Sequence, residues 1–171
     1  MPARDFESIY ADYSRMVYWA AYGVLKNESD AMDVSQNVFL RVIKHQKKLE
    51  AMEDLQLKSW LYRVTVNLCL DGKRKHKREV LADELPETPI SDMHALPEAA
   101  VLDAEARQTL YAAITALPDI YRETVMLHFF SELRYEEIAQ LMGVSEGTVK
   151  SRMARAKERL FALLKGGEQH G

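Results

Sequence analysis

Apolar residues recur along most of the chain at the three- and four-residue spacing of amphipathic helices. Glycine and proline, which interrupt helices, are few, with 7 and 5 among 171 residues. No segment shows the period-two alternation with β-branched residues that indicates a strand. The pattern therefore predicts an all-α protein, with helices near residues 3–26, 30–48, 57–78, 101–116, 119–131, 135–142 and 146–164.

Residues 80–103 interrupt this periodic pattern. They include three prolines and several acidic residues but no Lys or Arg. Such a composition is typical of a flexible linker. The sequence thus predicts two small helical domains, residues 1–79 and 104–171, joined by a flexible acidic linker.

The end of the second domain has the spacing of a helix-turn-helix motif. Ala139 is small enough for two helices to approach, Gly143 suits a left-handed turn, and Val149 can pack the second helix on the first. Ser145 is a good N-cap for that second helix. Its packing face is predicted to contain Val149, Met153, Leu160, Leu163 and Leu164. Its other positions are rich in Lys and Arg, which can donate to guanine edges, so the motif favours DNA binding over a merely solvated basic face.

The helix predicted over residues 30–48 carries a polar stripe. The side chains that share this face are Asp33, Gln36, Asn37, Arg41 and Lys44. The apolar side is predicted to consist of Val38, Phe39, Val42 and Ile43. By itself such a stripe is most simply explained as a solvated face.

The helix predicted over residues 57–78 mixes an aromatic ring with polar groups on one stripe. The members of this stripe are Trp60, Arg63, Asn67, Asp71 and Arg74. A surface for single-stranded nucleic acid requires this combination, because bases stack on the ring while cations bind phosphates. The alternative is that Trp60 belongs to the core and that Asn67 and Asp71 form structural hydrogen bonds.

Charge is distributed unevenly, although the net charge is only −3. Basic residues cluster in residues 73–79 and again in residues 150–171, which indicates two places that contact a polyanion.

No apolar run approaches the roughly 20 residues needed to span a bilayer, and the N-terminus lacks an apolar signal-peptide core. We therefore expect a cytoplasmic protein without direct membrane insertion.

The sequence shows no constellation for catalysis or metal binding. The single Cys69 cannot form an internal disulfide, and the scattered histidines lack metal-ligand spacing. Converging carboxylates, a nucleophile with its base, and a glycine-rich phosphate loop are all missing. We expect neither an enzyme nor a bound metal or cofactor.

Three blocks of sequence resemble the extracytoplasmic-function (ECF) sigma factors, the small two-domain branch of the sigma-70 family. They are Asp-x-x-Gln-x-x-Phe from Asp33, Trp-Leu-x-Arg-x-x-x-Asn-x-x-x-Asp from Trp60, and Gly-Thr-Val-Lys-Ser-Arg from Gly147. The resemblance extends from about Phe6 to Leu164, with the blocks in the family's order. It implies a factor that binds core RNA polymerase, directs it to a promoter and helps to melt the start site.

The resemblance also implies a role for each block. The residues implied to dock on the clamp coiled coil of the largest polymerase subunit are Asp33, Gln36, Asn37, Phe39 and Arg41, of which Phe39 would support the helix from inside. Those implied to engage the minus-ten element are Trp60, Arg63, Asn67, Asp71, Lys73, Arg74 and Lys75. The loop around Leu49–Leu57 would hold a flipped-out base. Those implied to read the minus-thirty-five element are Thr148, Lys150, Ser151, Arg152 and Arg155. An anti-sigma protein, often membrane-bound in the family, is a further implied partner.

One other class of function remains open, a helix-turn-helix regulator that acts without polymerase. Such a protein would use a dimer interface or a ligand pocket, and the sequence shows neither an obvious heptad nor a buried polar cluster. The affinity of the chain alone for duplex DNA separates the two. A repressor binds its site unaided, typically at nanomolar concentration or below, whereas a sigma factor binds weakly until polymerase is present.

Overall fold

The computed structural model describes residues 4–80 and 103–169, and side chains within residues 4–74 and 103–166. The chain divides into two units after Ser91, and the described residues of both are helical, without a strand. The elements are α1 (Phe6–Leu25), α2 (Glu28–Lys44), α3 (Gln46–Glu50), α4 (Asp54–Val80), α5 (Ala104–Thr115), α6 (Asp119–Val125), a π-helical turn (Met126–Phe130), α7 (Tyr135–Met142) and α8 (Glu146–Gln169). The all-α prediction is confirmed. The predicted linker lies almost wholly outside the described residues.

Helix α1 lies at the centre of the first unit. Every residue from Met16 to Val24 is buried, so no face of this stretch meets water, as expected for a helix enclosed by others. Helices α2 and α4 pack on α1 and on each other. Each turns one stripe inward, consisting of Ala31, Val34, Val38 and Val42 in α2 and of Leu57, Leu61, Thr65 and Cys69 in α4. Their opposite faces are thereby presented to solvent.

The helix predicted over residues 30–48 is divided at His45. This residue leaves the helical conformation (φ −110°, ψ 21°), and the short helix α3 follows it. Leu49 of α3 is fully buried, so the break delivers an extra apolar side chain to the core. Ile43, predicted on the apolar side, is 52% exposed. It follows Val42 directly and therefore points about 100° away from the buried stripe.

In the second unit, α6 passes without interruption into the π-helical turn. The predicted helix over residues 119–131 therefore has nearly the right extent but changes type after Val125. The Ser131 N–H donates to the Met126 carbonyl, five residues earlier, at 2.9 Å. Met126 and Leu127 are fully buried within this turn, so the wider helix still supplies the core.

A buried cation joins the turn before α6 to that helix. Arg122 is only 1% exposed. Its guanidinium donates to the Leu117 carbonyl at 2.8 Å and to Asp119 Oδ1 at 2.6 Å. A buried charge is tolerated only when it is paired and hydrogen-bonded, so these bonds fix the path of the chain from α5 into α6.

Helix α8 packs through its first half. Val149, Met153 and Ala156 are buried, whereas no described residue from Lys157 to Gly166 is buried. The prediction that Leu163 belongs to the packing face is therefore wrong, since this side chain is 42% exposed. The other two predicted positions in this half, Leu160 and Leu164, are half-buried.

Candidate polymerase-binding and DNA-binding surfaces

The polar stripe of α2 lies on the face opposite its core contacts. Asp33, Gln36, Asn37 and Arg41 are all exposed, because the buried stripe through Val34 and Val38 orients the helix on α1. These side chains offer a carboxylate, two amides and a guanidinium along two to three turns. Such a surface suits hydrogen bonding to a protein partner.

Phe39 lies on the other side of α2. It is 4% exposed, and its ring contacts Tyr10 edge-on at 4.9 Å and Phe6 at 6.3 Å between ring centroids. These contacts support α2 from within the unit. It has almost no surface left for a partner.

An apolar residue that the sequence analysis did not single out lies within the α2 stripe. Leu40 is 62% exposed and follows Asp33 by seven residues, which places both on one face. An exposed leucine among polar groups can anchor a protein interface by excluding water at its centre. The helical spacing from Asp33 was the signal that could have identified it.

The stripe of α4 is exposed over most of its length. Arg63, Asn67, Asp71 and Arg74 are exposed, while Trp60 is half-buried, with its ring 5.9 Å from that of His45. Trp60 is therefore neither a core residue nor free-standing. It braces the junction of α2 and α3 and keeps part of its surface at the start of the stripe.

The basic end of α4 continues this surface. Lys73 is exposed, although it precedes Arg74 directly and so lies about 100° around the helix from it. The backbone of Lys75 belongs to α4, but its side chain lies outside the described residues. Among the α4 side chains that the structure describes, Cys69 is the last that is fully buried, so the stripe continues beyond it as far as Arg74.

The connection between α3 and α4 is held at both ends. Leu49 and Leu57, which bound the loop predicted to hold a flipped-out base, are both fully buried, so only the short segment between the two helices is irregular. The phenol of Tyr13 donates to Asp54 Oδ1 at 2.5 Å, and Lys58 forms an ion pair with Asp54 Oδ2 at 3.0 Å. Helix α1 therefore fixes the start of α4 beside this connection.

Two pKa values shift at this contact. Burial of the phenol, together with its hydrogen bond to Asp54, raises the pKa of Tyr13 to about 12. Burial alone would raise the pKa of Asp54, but hydrogen bonds from Tyr13 and Lys58 outweigh it and lower the pKa. Tyr13 is a neutral donor and Asp54 an ionised acceptor near neutral pH, so the bond is charge-assisted.

The structure also adds a basic groove at the junction of α2 and α3. Its volume is about 660 Å³, and its lining includes Lys44, Lys47 and Lys48 next to His45. Because the ring of His45 contacts Trp60, the groove adjoins the start of the α4 stripe. All three lysines fall within the helix predicted over residues 30–48, at i, i+3 and i+4, and this spacing was the signal that could have placed them on one face.

The helix-turn-helix consists of α7, a three-residue turn and α8. Gly143 has φ 69°, the left-handed conformation that favours glycine, and its N–H donates to the Ala139 carbonyl. Ser145 Oγ accepts from the Thr148 N–H at 3.1 Å and caps α8. Val149 is fully buried. The predicted motif is confirmed, with each of its key residues in the conformation that the motif requires.

The recognition positions lie on the solvent side of α8. Lys150, Ser151 and Arg155 are exposed, whereas Arg152 and Thr148 are half-buried. Lys150 forms an exposed ion pair with Glu146 at 3.5 Å, and the Thr148 hydroxyl contacts Ser145 Oγ at 2.9 Å. An open cleft of about 510 Å³ runs along this side. The arrangement offers cations and hydroxyls at the first turns of a helix, as major-groove recognition requires.

Two family models match the chain. The model described as sigma-70 region 2 matches residues 9–79, and the model described as sigma-70 region 4 matches residues 107–160. The ECF RNA polymerase sigma factor SigM of Bacillus subtilis is 33% identical over 162 residues, which cover 94% of this chain and 96% of SigM. The chain belongs to the ECF sigma factors of the sigma-70 family. This sigma factor is also 32% identical over 168 residues to the ECF RNA polymerase sigma factor SigW of B. subtilis, covering 94% of this chain and 89% of SigW.

Solved structures agree with this assignment. This sigma factor is similar to RpoE of Bartonella quintana, determined in complex with the anti-sigma factor NepR, with a TM-score of 0.71 and 26% identity over 94% of this chain and 97% of RpoE. It shares the fold of CnrH, determined with the cytosolic domain of CnrY, with a TM-score of 0.59 and 23% identity over 94% and 88% of the two chains. The family inferred from the sequence is confirmed. Within residues 4–80 and 103–169, no helix is both long and apolar enough to cross a membrane.

Proposed function

We propose that this sigma factor binds core RNA polymerase and directs it to specific promoters, with both domains contacting promoter DNA. The observation that carries the proposal is that sigma-70 regions 2 and 4 both match this chain, in that order. Each region also exposes a stripe of suitable chemistry. Polymerase performs the chemistry of RNA synthesis, so the sigma factor is not itself an enzyme, and it acts in the cytoplasm.

In this proposal α2 docks on the clamp coiled coil of the largest polymerase subunit. Asp33, Gln36, Asn37 and Arg41 make the polar contacts, and Phe39 supports them from inside. Exposure of the four polar side chains supports the assignment. We add Leu40 as the apolar centre of the surface, because its exposed side chain lies on the same face.

The stripe of α4 engages the minus-ten element and helps to open it. Bases that leave the duplex would stack against the exposed part of Trp60 and be held by hydrogen bonds from the polar side chains that follow. The remaining members of this surface are Arg63, Asn67, Asp71, Lys73, Arg74 and Lys75. The buried anchors on both sides of the α3–α4 connection support a rigid loop that can receive one flipped-out base.

The recognition side of α8 reads the minus-thirty-five element in the major groove. The residues assigned to it are Thr148, Lys150, Ser151, Arg152 and Arg155. Among the described residues Arg152 and Arg155 have no carboxylate partner, so both can meet bases or phosphates without first breaking an ion pair. Lys150 must exchange its exposed contact with Glu146 for the DNA, a loss of well under 1 kcal/mol.

We further propose that residues 1–79 and 104–171 act as separate domains joined by residues 80–103, and that an anti-sigma protein holds this sigma factor inactive. The second part is supported by the solved relatives, since RpoE of B. quintana was determined with an anti-sigma factor. An inhibitor that covers the α2 stripe would block polymerase binding directly.

Transcription from a pooled genomic template tests the function. Core RNA polymerase is incubated with and without this sigma factor, and transcript starts are sequenced. We expect sharp new starts that share two spaced upstream motifs. A chain that binds duplex DNA tightly by itself but yields no new start would instead be a polymerase-independent regulator.

Two variants test the division of labour. Lys150→Ala with Arg155→Ala should abolish promoter selection while leaving polymerase binding intact, since each lost base contact costs about 1–3 kcal/mol. Lys26→Ala with Lys165→Ala removes the same charge from exposed positions outside the assigned surfaces and serves as the control. Asp33→Lys should weaken polymerase binding without loss of helix content, and Asp12→Lys, exposed on α1, is its control. Parallel loss of both activities in either test would contradict the assignments.

A further inference from the structure

Arg159 of α8 rests on an aromatic ring of another helix. Its guanidinium carbon lies 5.1 Å from the ring centroid of Tyr121 in α6. Arg159 is exposed and Tyr121 is half-buried, so the ring is held by the unit while the cation faces solvent. A ring attracts a cation through its face without neutralising the charge.

The cation has no competing acidic partner among the described residues. This distinguishes it from Lys150 of the same helix, which pairs with Glu146. Tyr121 restricts where the guanidinium can lie and leaves its N–H donors available. A positioned cation with free donors is suited to bind an anion at low cost in side-chain entropy.

Arg159 continues the recognition side of α8. Thr148, Arg152, Arg155 and Arg159 follow one another at intervals of four, three and four residues, which places them on one stripe. Tyr121 lines the same cleft of about 510 Å³ as Ser151, Arg152 and Arg155. The ring that holds Arg159 is thus part of the wall of the proposed DNA-binding cleft.

Distance along α8 indicates which part of the DNA this residue meets. Eleven residues separate Thr148 from Arg159, or roughly 16 Å of helix axis. The major groove is only about 12 Å wide. We therefore expect a side chain this far beyond the first recognition position to lie past the base edges, near the phosphates that border the groove.

We propose that Arg159, positioned by the ring of Tyr121, binds a backbone phosphate at the edge of the minus-thirty-five element. The inference rests on the proposed function of α8. Arg159 would add affinity without adding sequence preference, because phosphates carry no base information. Tyr121 is a positioning residue that acts through Arg159.

The test measures binding of the complete holoenzyme, formed from core polymerase and the full chain, to promoter DNA over a range of salt concentrations. Arg159→Ala should lower the magnitude of the slope of log K against log salt by about 0.9, the value for one phosphate contact. The same relation gives a loss of about fivefold near 0.15 M salt. The loss should be equal for promoters that differ in the minus-thirty-five sequence. Lys165→Ala, exposed farther along α8 and outside the cleft, should change neither quantity.

Tyr121 variants test the positioning role. Tyr121→Phe keeps the ring and should bind promoter DNA like the wild type. Tyr121→Leu should show about half or more of the affinity loss of Arg159→Ala. Tyr121→Leu combined with Arg159→Ala should be no weaker than Arg159→Ala alone, since the ring acts only through the cation. Circular dichroism of each variant identifies one that fails to fold, and Arg159→Ala then carries the test because its side chain is exposed.

Several outcomes would overturn the proposal. An unchanged salt slope for Arg159→Ala would show that Arg159 makes no phosphate contact. A changed preference among promoters would show that Arg159 contacts bases. If Lys150→Ala with Arg155→Ala also left promoter selection unchanged, the proposed function of α8 would itself fail. If the affinity losses of the two single variants add up in the double variant, Tyr121 does not act through Arg159, although the phosphate contact of Arg159 is unaffected.

Discussion

The hydrogen bond between Tyr13 and Asp54 predicts a measurable loss of stability when the phenol is removed. Tyr13 is 2% exposed and donates to a carboxylate 41 residues away at 2.5 Å. A hydrogen bond to a charged group is worth about 1.5–3 kcal/mol. In Tyr13→Phe the carboxylate of Asp54, which is 52% exposed, recovers water and keeps its ion pair with Lys58. The Arg4 guanidinium, which donates to the same phenol oxygen, also loses its acceptor. We therefore expect a loss near the lower limit, about 1.5 kcal/mol.

Urea unfolding followed by tryptophan fluorescence measures this loss of stability. The chain contains two tryptophans, and both Trp19 and Trp60 belong to the first unit, so the signal reports on that unit alone. With an m-value on the order of 1–1.5 kcal/mol per molar, the urea midpoint should fall by about 1 M. Tyr10→Phe, whose side chain is 49% exposed, is the matched control and should change the midpoint little.

The same bond predicts a dependence on alkaline pH. The pKa of Tyr13 is raised to about 12 by burial and by Asp54, above the value of about 10 in an unfolded chain. The stabilisation is therefore complete below about pH 10 and is lost as the pH rises towards 12. The difference in unfolding free energy between wild type and Tyr13→Phe should shrink over this range. Equal midpoints for Tyr13→Phe and Tyr10→Phe at neutral pH would refute the reasoning.

Four further outcomes follow from single residues. Gly143→Ala should destabilise the second unit by about 1 kcal/mol in thermal unfolding, since its φ of 69° suits glycine. Gly72→Ala, with nothing within 4 Å of the added Cβ, should stabilise α4 by about 0.5–1 kcal/mol. A loss of stability in Gly72→Ala would contradict this expectation. Arg122→Met should cost the second unit about 2–3 kcal/mol by leaving the Leu117 carbonyl without its donor, measured by hydrogen exchange, and unchanged protection would show that water replaces the guanidinium. Cys69 is fully buried and should react with a thiol reagent only as the first unit unfolds; rapid labelling of the folded chain would mean that this part of α4 opens locally.

Much of the fold could be predicted because apolar spacing records which face of a helix is buried. Val149 was placed correctly in the core from such spacing, and Gly143 from the chemistry of turns. The break at His45 could not be predicted, because the apolar residues on both sides keep helical intervals. The exposure of Leu163 could not be predicted either, since spacing gives the face of a helix but not the point where its neighbours end.

The candidate surfaces were predicted where they lie on one helix. Asp33 and Gln36 share a face of α2 by spacing alone, and their exposure followed from the buried stripe beside them. The contact of Arg159 with Tyr121 joins two helices, and no periodicity within either one indicates it. Contacts of this kind depend on how helices pack, which a single sequence does not record.

The recognition side of α8 holds several positive charges that no described carboxylate balances, at Arg152, Arg155 and Arg159. In the free protein these charges repel one another along one helix, and dissolved ions relieve that repulsion by screening it. On DNA the same ions compete with the protein for phosphate. Added salt should therefore have two opposite effects through α8. It should raise the stability of the second unit in the free protein and lower the affinity of that unit for promoter DNA.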